Sequence, residues 1–152
     1  MVDGPGRVAR AEMLVRCPPG QVFDAFANPG RITQFWLAET SGPLAPGAHV
    51  EWKFMVPGAR NTVRVTDFQT PRRIAFDWSD GTSVAISFEP HGTLATIVSV
   101  EMTGFAEDAP VDIVVDAASG FSIVLCDLKT LLENGRSAHL VRDKAQLIAE
   151  GR

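Results

Sequence analysis

The sequence predicts an α+β domain in which a curved antiparallel sheet of six to seven strands wraps around a long C-terminal helix, with two short helices after the first strand. Between residues 50 and 102, apolar and polar residues alternate in short runs separated by Gly, Pro and Asp. Consecutive runs of this kind predict hairpin-linked antiparallel strands. Residues 112–135 instead carry apolar residues at three-and-four spacing, which is typical of a helix with one apolar stripe. That helix would extend roughly 30 Å, about the width of a small domain.

The composition predicts one domain. The chain has 152 residues, of which 45% are hydrophobic, and a net charge of -4. This balance argues against nucleic acid and anionic membranes as partners, and no apolar stretch is long enough to span a bilayer. Residues 1–7 are predicted to be a disordered tail and residues 8–152 a single domain. The N-terminus lacks the apolar segment of a signal peptide, so a cytoplasmic location is expected. Cys17 and Cys126 are expected to be free thiols.

The first part of the chain predicts one strand and two short helices. Residues 8–16 alternate between apolar and polar side chains, as in a half-buried strand. The run Cys17-Pro18-Pro19-Gly20 should end that strand, since proline cannot donate to a ladder. Apolar residues at positions 22–27 fit one side of a helix, which Asn28-Pro29-Gly30 should end. Residues 31–36 predict a second helical turn.

The central region predicts the sheet. Whether residues 37–41 form a strand leaves the count at six or seven. Ser79-Asp80-Gly81 and Pro90-His91-Gly92 indicate hairpin turns. The side chains expected on the inward face are Val50, Trp52, Phe54, Val63, Val65, Ile74, Phe76, Trp78, Val84, Ile86, Phe88, Leu94, Thr96, Val98, Val100 and Met102.

The long helix has recognisable ends. Asp112 is a plausible N-cap, because its carboxylate can accept orphan backbone N–H groups. Gly135 is a plausible C-cap glycine. Ile123 and Cys126 fall outside the apolar stripe. Either a short closing helix within residues 138–149 covers them, or a second subunit does. If a second subunit covers them, the protein is a homodimer.

These elements carry a set of motifs in a characteristic order. The motifs are Val22-Phe23-Asp24-Ala25-Phe26, Phe35-Trp36, Pro46-Gly47, Pro71-Arg72-Arg73-Ile74-Ala75-Phe76-Asp77-Trp78, and Gly120-Phe121 followed by Leu125, Leu128, Lys129, Leu132, Glu133 and Gly135. From Val8 to Gly135 the chain resembles the helix-grip fold of the START-like (SRPBCC) superfamily, in the branch named after the activator of the heat-shock protein 90 ATPase. The chain departs from that pattern at Phe121 and Leu37, where the family often has Trp.

The resemblance implies a cavity between sheet and helix, usually for an apolar or amphipathic small molecule, and no shared catalytic residues. Members include lipid carriers, cyclases and stress-related binding proteins. The candidate cavity residues are Phe35, Trp36, Trp52, Phe54, Phe76, Trp78, Phe88, Thr96, Val98, Met102, Phe121, Leu125 and Leu128. For any single one of them, ordinary core is the favoured interpretation, while a subset is expected to line the cavity. Thr96 can orient a ligand, but a hydroxyl bonded to nearby backbone is the favoured interpretation.

No catalytic or metal motif stands out. His49, His91 and His139 lack metal-ligand spacing, and GxSxG, P-loop and GxGxxG runs are absent from the sequence. We therefore predict no catalytic residue, no metal and no cofactor. Three functions remain open. The first is binding of a small hydrophobic or amphipathic molecule, the second is an enzyme of cyclase or hydrolase type using the same cavity, and the third is a chaperone-ATPase-stimulating interaction.

Overall fold

The predicted sheet and long helix are both confirmed by a computed structural model, which describes residues 6–152. The strands are β1 (Ala9–Val15), β2 (Leu37–Thr40), β3 (His49–Phe54), β4 (Arg60–Gln69), β5 (Arg73–Trp78), β6 (Ser83–His91) and β7 (Ala95–Thr103). The helices are α1 (Pro19–Ala27), α2 (Pro29–Ile32), α3 (Val111–Asn134) and α4 (Leu140–Ala149).

All seven strands form one antiparallel sheet in the order β1-β7-β6-β5-β4-β3-β2. The first strand pairs with the last, with Ala11 opposite Val100. Residues 37–40 form a strand paired with β3, so the sheet has seven strands rather than six. The register shifts within β4 between Val65 and Asp67. Such bulges increase the local bend and twist of a sheet, and so help it to curve around a helix.

One face of the sheet forms the core and the other meets solvent. Phe76, Ile86 and Val98 are completely buried on the inner face. The outer face carries ion pairs between neighbouring strands, such as Arg64 to Asp77 at 2.7 Å. This polar and apolar alternation is the pattern from which the strands were predicted.

The helix α3 is tied to β1 near its C-terminal end. The Lys129 ammonium donates to the Leu14 carbonyl at 2.7 Å, and the Arg16 amide donates to the Glu133 carboxylate at 2.8 Å. Gly135 has a φ of 82° and ends the helix in the left-handed region, which confirms the predicted C-cap.

The predicted N-cap of α3 is wrong by two residues. Pro110 occupies the cap position, and Asp112 lies in the first helical turn without capping it. Proline fits there because its missing N–H needs no partner at a helix start. The Asp112 carboxylate still lies at the positive end of the helix dipole.

Two other predicted boundaries shift for similar reasons. Pro19 begins α1 instead of only ending β1, and Pro29 begins α2, where the Asn28 side chain accepts from the Gly30 amide at 2.9 Å. Proline is well suited to the first helical position.

The hairpin between β6 and β7 lies later than the sequence indicates. β6 continues through His91, and the turn uses the positive φ of Gly92. Leu94 therefore falls in the turn, where it is 73% exposed, and its predicted inward position is wrong. Alternation alone does not show where a strand begins.

Both thiols are free, as predicted, with Cys17 buried and Cys126 half-buried. Of the predicted tail, residues 1–5 lie outside the described residues, while the Arg7 guanidinium donates to the Ala109 carbonyl. Within residues 6–152, no helix is both long enough and apolar enough to cross a membrane.

Candidate functional site

An apolar cleft of about 370 Å³ lies between the sheet, α3 and α4. This volume is within the range of small-molecule sites. The cleft is lined by Trp36, Phe54, Met55, Val56, Ala59, Trp78, Met102, Ala117, Gly120, Phe121, Ile123, Val124, Val141, Lys144, Ala145 and Ile148. Lys144 is the one charged residue of this lining, so the cleft favours an apolar ligand body.

Aromatic side chains form the sheet wall of the cleft. The Trp36 ring lies 5.9 Å from that of Phe121 on α3, in edge-to-face geometry. Behind them lies the fully buried Trp52. Its ring centroid is 4.9 Å from that of Trp36 and 5.6 Å from that of Trp78. These edge-to-face contacts hold the rings in defined orientations, so the wall is preformed.

Gly120 opens the cleft on the side of α3. It lies in the middle of a helix, where glycine is normally unfavourable. A Cβ built at this position would meet no atom within 4 Å. The helix therefore does not need glycine for close packing, and the missing side chain leaves free space beside the cleft.

The helix α4 forms the outer wall, and a buried carboxylate fixes its beginning. Asp127 on α3 is only 1% exposed. It accepts hydrogen bonds from the Ser137 hydroxyl at 2.7 Å, the Ala138 amide at 3.2 Å and the Val141 amide at 3.5 Å. Asp127 thus caps the start of α4 from a neighbouring helix, and it satisfies its own buried charge in doing so.

Five of the thirteen predicted cavity residues line the cleft. They are Trp36, Phe54, Trp78, Met102 and Phe121. The remaining eight are buried side chains that do not line it, namely Phe35, Trp52, Phe76, Phe88, Thr96, Val98, Leu125 and Leu128. The Thr96 hydroxyl donates to the Cys17 carbonyl at 2.7 Å, which agrees with the backbone bond favoured from the sequence.

Two sets of lining residues were not predicted from the sequence, those of α4 and those of the turn between β3 and β4. The turn contributes Met55, Val56 and Ala59, which carry no pattern beyond a Pro-Gly turn. One available signal was Ile123, which lies off the main stripe of α3. Ile123 lines the cleft together with α4, so the closing helix covers it, as the first of the two predicted alternatives had it.

The side chains whose pKa values are shifted lie outside the cleft. Burial raises the pKa of the Cys17 thiol. Hydrogen bonds from Ser83 and Arg64 lower the pKa of the Asp77 carboxyl on the outer face of the sheet. In the described part of the chain, no three His, Cys, Asp or Glu side chains are grouped as metal ligands would be.

A curved antiparallel sheet that holds a long C-terminal helix above an apolar cleft defines a helix-grip protein of the START-like class. Residues 16–133 match the family described as "Activator of Hsp90 ATPase homolog 1-like protein", and the chain belongs to that family. A comparison with curated proteins gave no significant match.

Solved structures share this fold. A protein from Staphylococcus saprophyticus is 24% identical, with a TM-score of 0.77 over 86% of this chain and 95% of its own. The Aha1 dimer from Colwellia psychrerythraea is 17% identical, with a TM-score of 0.77 over 86% of this chain and 99% of its own. DynU16, a protein in the dynemicin biosynthetic locus, is 22% identical, with a TM-score of 0.77 over 88% of this chain and 49% of its own.

Proposed function

We propose that the protein binds a small hydrophobic or amphipathic molecule in the apolar cleft. The observation that carries this proposal is the lining itself, in which fifteen of sixteen residues are uncharged and apolar or glycine. Binding sites for small molecules are mostly apolar clefts of this size, with few polar groups. The aromatic wall is preorganised, which reduces the entropy lost on binding.

The test uses Gly120, because changes there enter the cleft without removing core. Gly120→Leu places a side chain in the free space, and Gly120→Ala is the matched small variant. Ser119→Leu puts the same leucine on a neighbouring exposed position that does not line the cleft. The probe is N-phenyl-1-naphthylamine, a neutral apolar fluorophore whose emission rises on leaving water.

We expect Gly120→Leu to weaken probe binding by about tenfold or more. In a hydrophobic pocket, even one methylene too many measurably changes the binding free energy. Gly120→Ala and Ser119→Leu should stay close to the parent protein. Trp36 and Trp78 line the cleft, so their fluorescence should change with probe binding. Equal affinity of all four proteins, or no binding by the parent, would contradict the proposal.

A second candidate function is stimulation of the Hsp90 ATPase. The family description favours it, and so do the exposed apolar side chains of Val111, Ile113 and Val115 on the first turns of α3. If the role is correct, the protein accelerates Hsp90 ATP hydrolysis, Ile113→Asp abolishes that effect and Gly120→Leu retains it. An unchanged hydrolysis rate with the parent protein would exclude this function.

No observation favours the enzyme alternative. It requires a cleft-facing acid, base or hydroxyl pair, and Lys144 is the one ionisable side chain among the lining residues. The predicted homodimer and cytoplasmic location stay proposals. Light scattering at high micromolar concentration tests the first, because a monomer mass would contradict it, and cell fractionation tests the second.

A further inference from the structure

A second cleft, of about 490 Å³, lies beside the first and has a basic lining. Arg31 is on α2, Arg136 lies between α3 and α4, and Arg142 is on α4. His139 lines the same cleft. The whole protein carries a net charge of -4, so a convergence of three arginines from separate elements is a local exception.

The three arginines are available to a ligand. Among residues 6–152, the ion pairs engage other cations, namely Arg10, Arg16, Lys53, Arg64, Arg73 and Lys129. Arg31 makes one side-chain hydrogen bond, to the Gln34 amide oxygen at 3.3 Å. The planar guanidinium group suits the geometry of carboxylate and phosphate oxygens.

Asp127 is the acidic residue of this lining, and it does not neutralise the cleft. Its carboxylate already accepts from Ser137, Ala138 and Val141. Three arginines against one carboxylate leave the lining with a formal charge of +2 when His139 is neutral. An anion therefore finds an attractive field there.

The two clefts adjoin. Met55 lines both of them. Along α3, Val124 lines the apolar cleft and Asp127 lines the basic one. Three residues of helix correspond to a rise of about 4.5 Å. A molecule that placed an apolar body in one cleft and a polar end in the other would pass Met55.

We propose that the basic cleft of Arg31, Arg136 and Arg142 binds the anionic headgroup, a carboxylate or phosphate, of an amphiphile whose apolar body occupies the apolar cleft. This inference rests on the proposed function, because it assigns the polar end of the same ligand. It specifies the ligand class as an anionic amphiphile in place of a neutral one.

The experiment compares three ligands of one chain length: dodecanoate, dodecyl phosphate and the neutral 1-dodecanol. Each displaces N-phenyl-1-naphthylamine from the protein in low-salt buffer, and inorganic phosphate is added as a headgroup without a chain. The test variant is R136Q/R142Q, whose two positions are exposed. The control is R72Q/R152Q, which removes the same charge at positions that line neither cleft.

We expect at least one of the two anions to bind about tenfold or more tightly than dodecanol, because charge-assisted hydrogen bonds are the strong ones. R136Q/R142Q should lose most of that preference while its dodecanol affinity stays unchanged. The control should keep the preference. Circular dichroism of R136Q/R142Q verifies that the variant is folded.

Three outcomes overturn the inference and leave the proposed function standing. In the first, dodecanol binds as tightly as both anions to the parent protein. In the second, R136Q/R142Q and R72Q/R152Q lose the preference equally, which would assign it to overall charge. In the third, inorganic phosphate at concentrations as low as those of dodecyl phosphate blocks binding of dodecyl phosphate, which would separate the basic cleft from the apolar one. If neither the fluorophore nor any of the three ligands binds, the proposed function itself fails.

Discussion

Replacement of Asp127 by alanine tests whether one buried carboxylate holds the outer wall of the cleft in place. The carboxylate accepts from the hydroxyls of Ser137 and Thr130, at 2.7 and 3.0 Å, and from the amides of Ala138 and Val141, at 3.2 and 3.5 Å. Alanine removes every one of these acceptors. It leaves the Val141 amide without its bond to α3, while the Ala138 amide keeps a bond to the Thr130 hydroxyl at 3.1 Å.

The expected cost follows from the kinds of bond that are lost. Loss of a capping side chain costs about 0.5–2 kcal/mol, and a hydrogen bond to a charged group is worth about 1.5–3 kcal/mol. Since bonds to one group are not additive, we expect Asp127→Ala to lower the free energy of unfolding by about 3 kcal/mol. For a domain of this size, that corresponds to a fall in Tm of about 6–12 °C.

Asp127→Asn is the matched control. Asparagine keeps one oxygen acceptor in the same place and replaces the other by an N–H donor, so it should cost about half as much. Denaturant melts measure the free energy, and hydrogen exchange of residues 138–149 reports whether α4 opens separately. A loss below about 1 kcal/mol for alanine, with no faster exchange in α4, would refute the reasoning and show that apolar contacts alone hold this helix.

Three further predictions follow from the same structure. Gly120→Ala should stabilise the protein by about 0.8–1 kcal/mol, a rise in Tm of roughly 2–4 °C by thermal melt, because alanine favours the helix and meets no neighbour. Burial alone would raise the pKa of Glu133, but hydrogen bonds from a backbone amide and from Lys129 leave it lowered. The stability from Glu133 is therefore present above its ordinary pKa of about 4.3 and is lost as the pH falls through the lowered value. The difference in denaturant midpoint between the parent protein and Glu133→Gln should accordingly shrink as the pH falls below about 4.3. In thiol titration with a disulfide reagent, the half-buried Cys126 should react first and Cys17 slowly, since Cys17 is buried with a raised pKa; equal rates would contradict this.

The fold was largely predictable because its signals are local and repeated. Alternation over β3 to β7 and the stripe of α3 each extend over many residues, so one misplaced position does little harm. Leu94 shows the limit, since it continues the alternation of β7 but lies in the turn. The position of a turn depends on Gly92 and on the register between strands, which a single-strand pattern does not contain.

The cleft was less predictable because it depends on the curvature of the sheet and on α4. Trp52 and Trp78 belong to the same inward face by alternation, yet Trp52 is buried as support and Trp78 lines the cleft. The alternation within one strand does not contain this difference, because it depends on how the strands and helices pack together. Val141 and Lys144 lie on α4, whose start contacts Asp127, a residue of α3 distant in sequence.

The net charge of the protein and the local charge of the basic cleft act on an anionic ligand over different distances. The net charge of -4 repels an anionic ligand at long distance, but this repulsion is screened beyond a Debye length of about 8 Å at physiological salt. Within the basic cleft, a headgroup meets Arg31, Arg136 and Arg142 at closer range, so the local attraction should prevail once the ligand arrives. Added salt should then weaken the preference for an anionic ligand over dodecanol, while dodecanol binding in the apolar cleft, which depends on buried area, should change little.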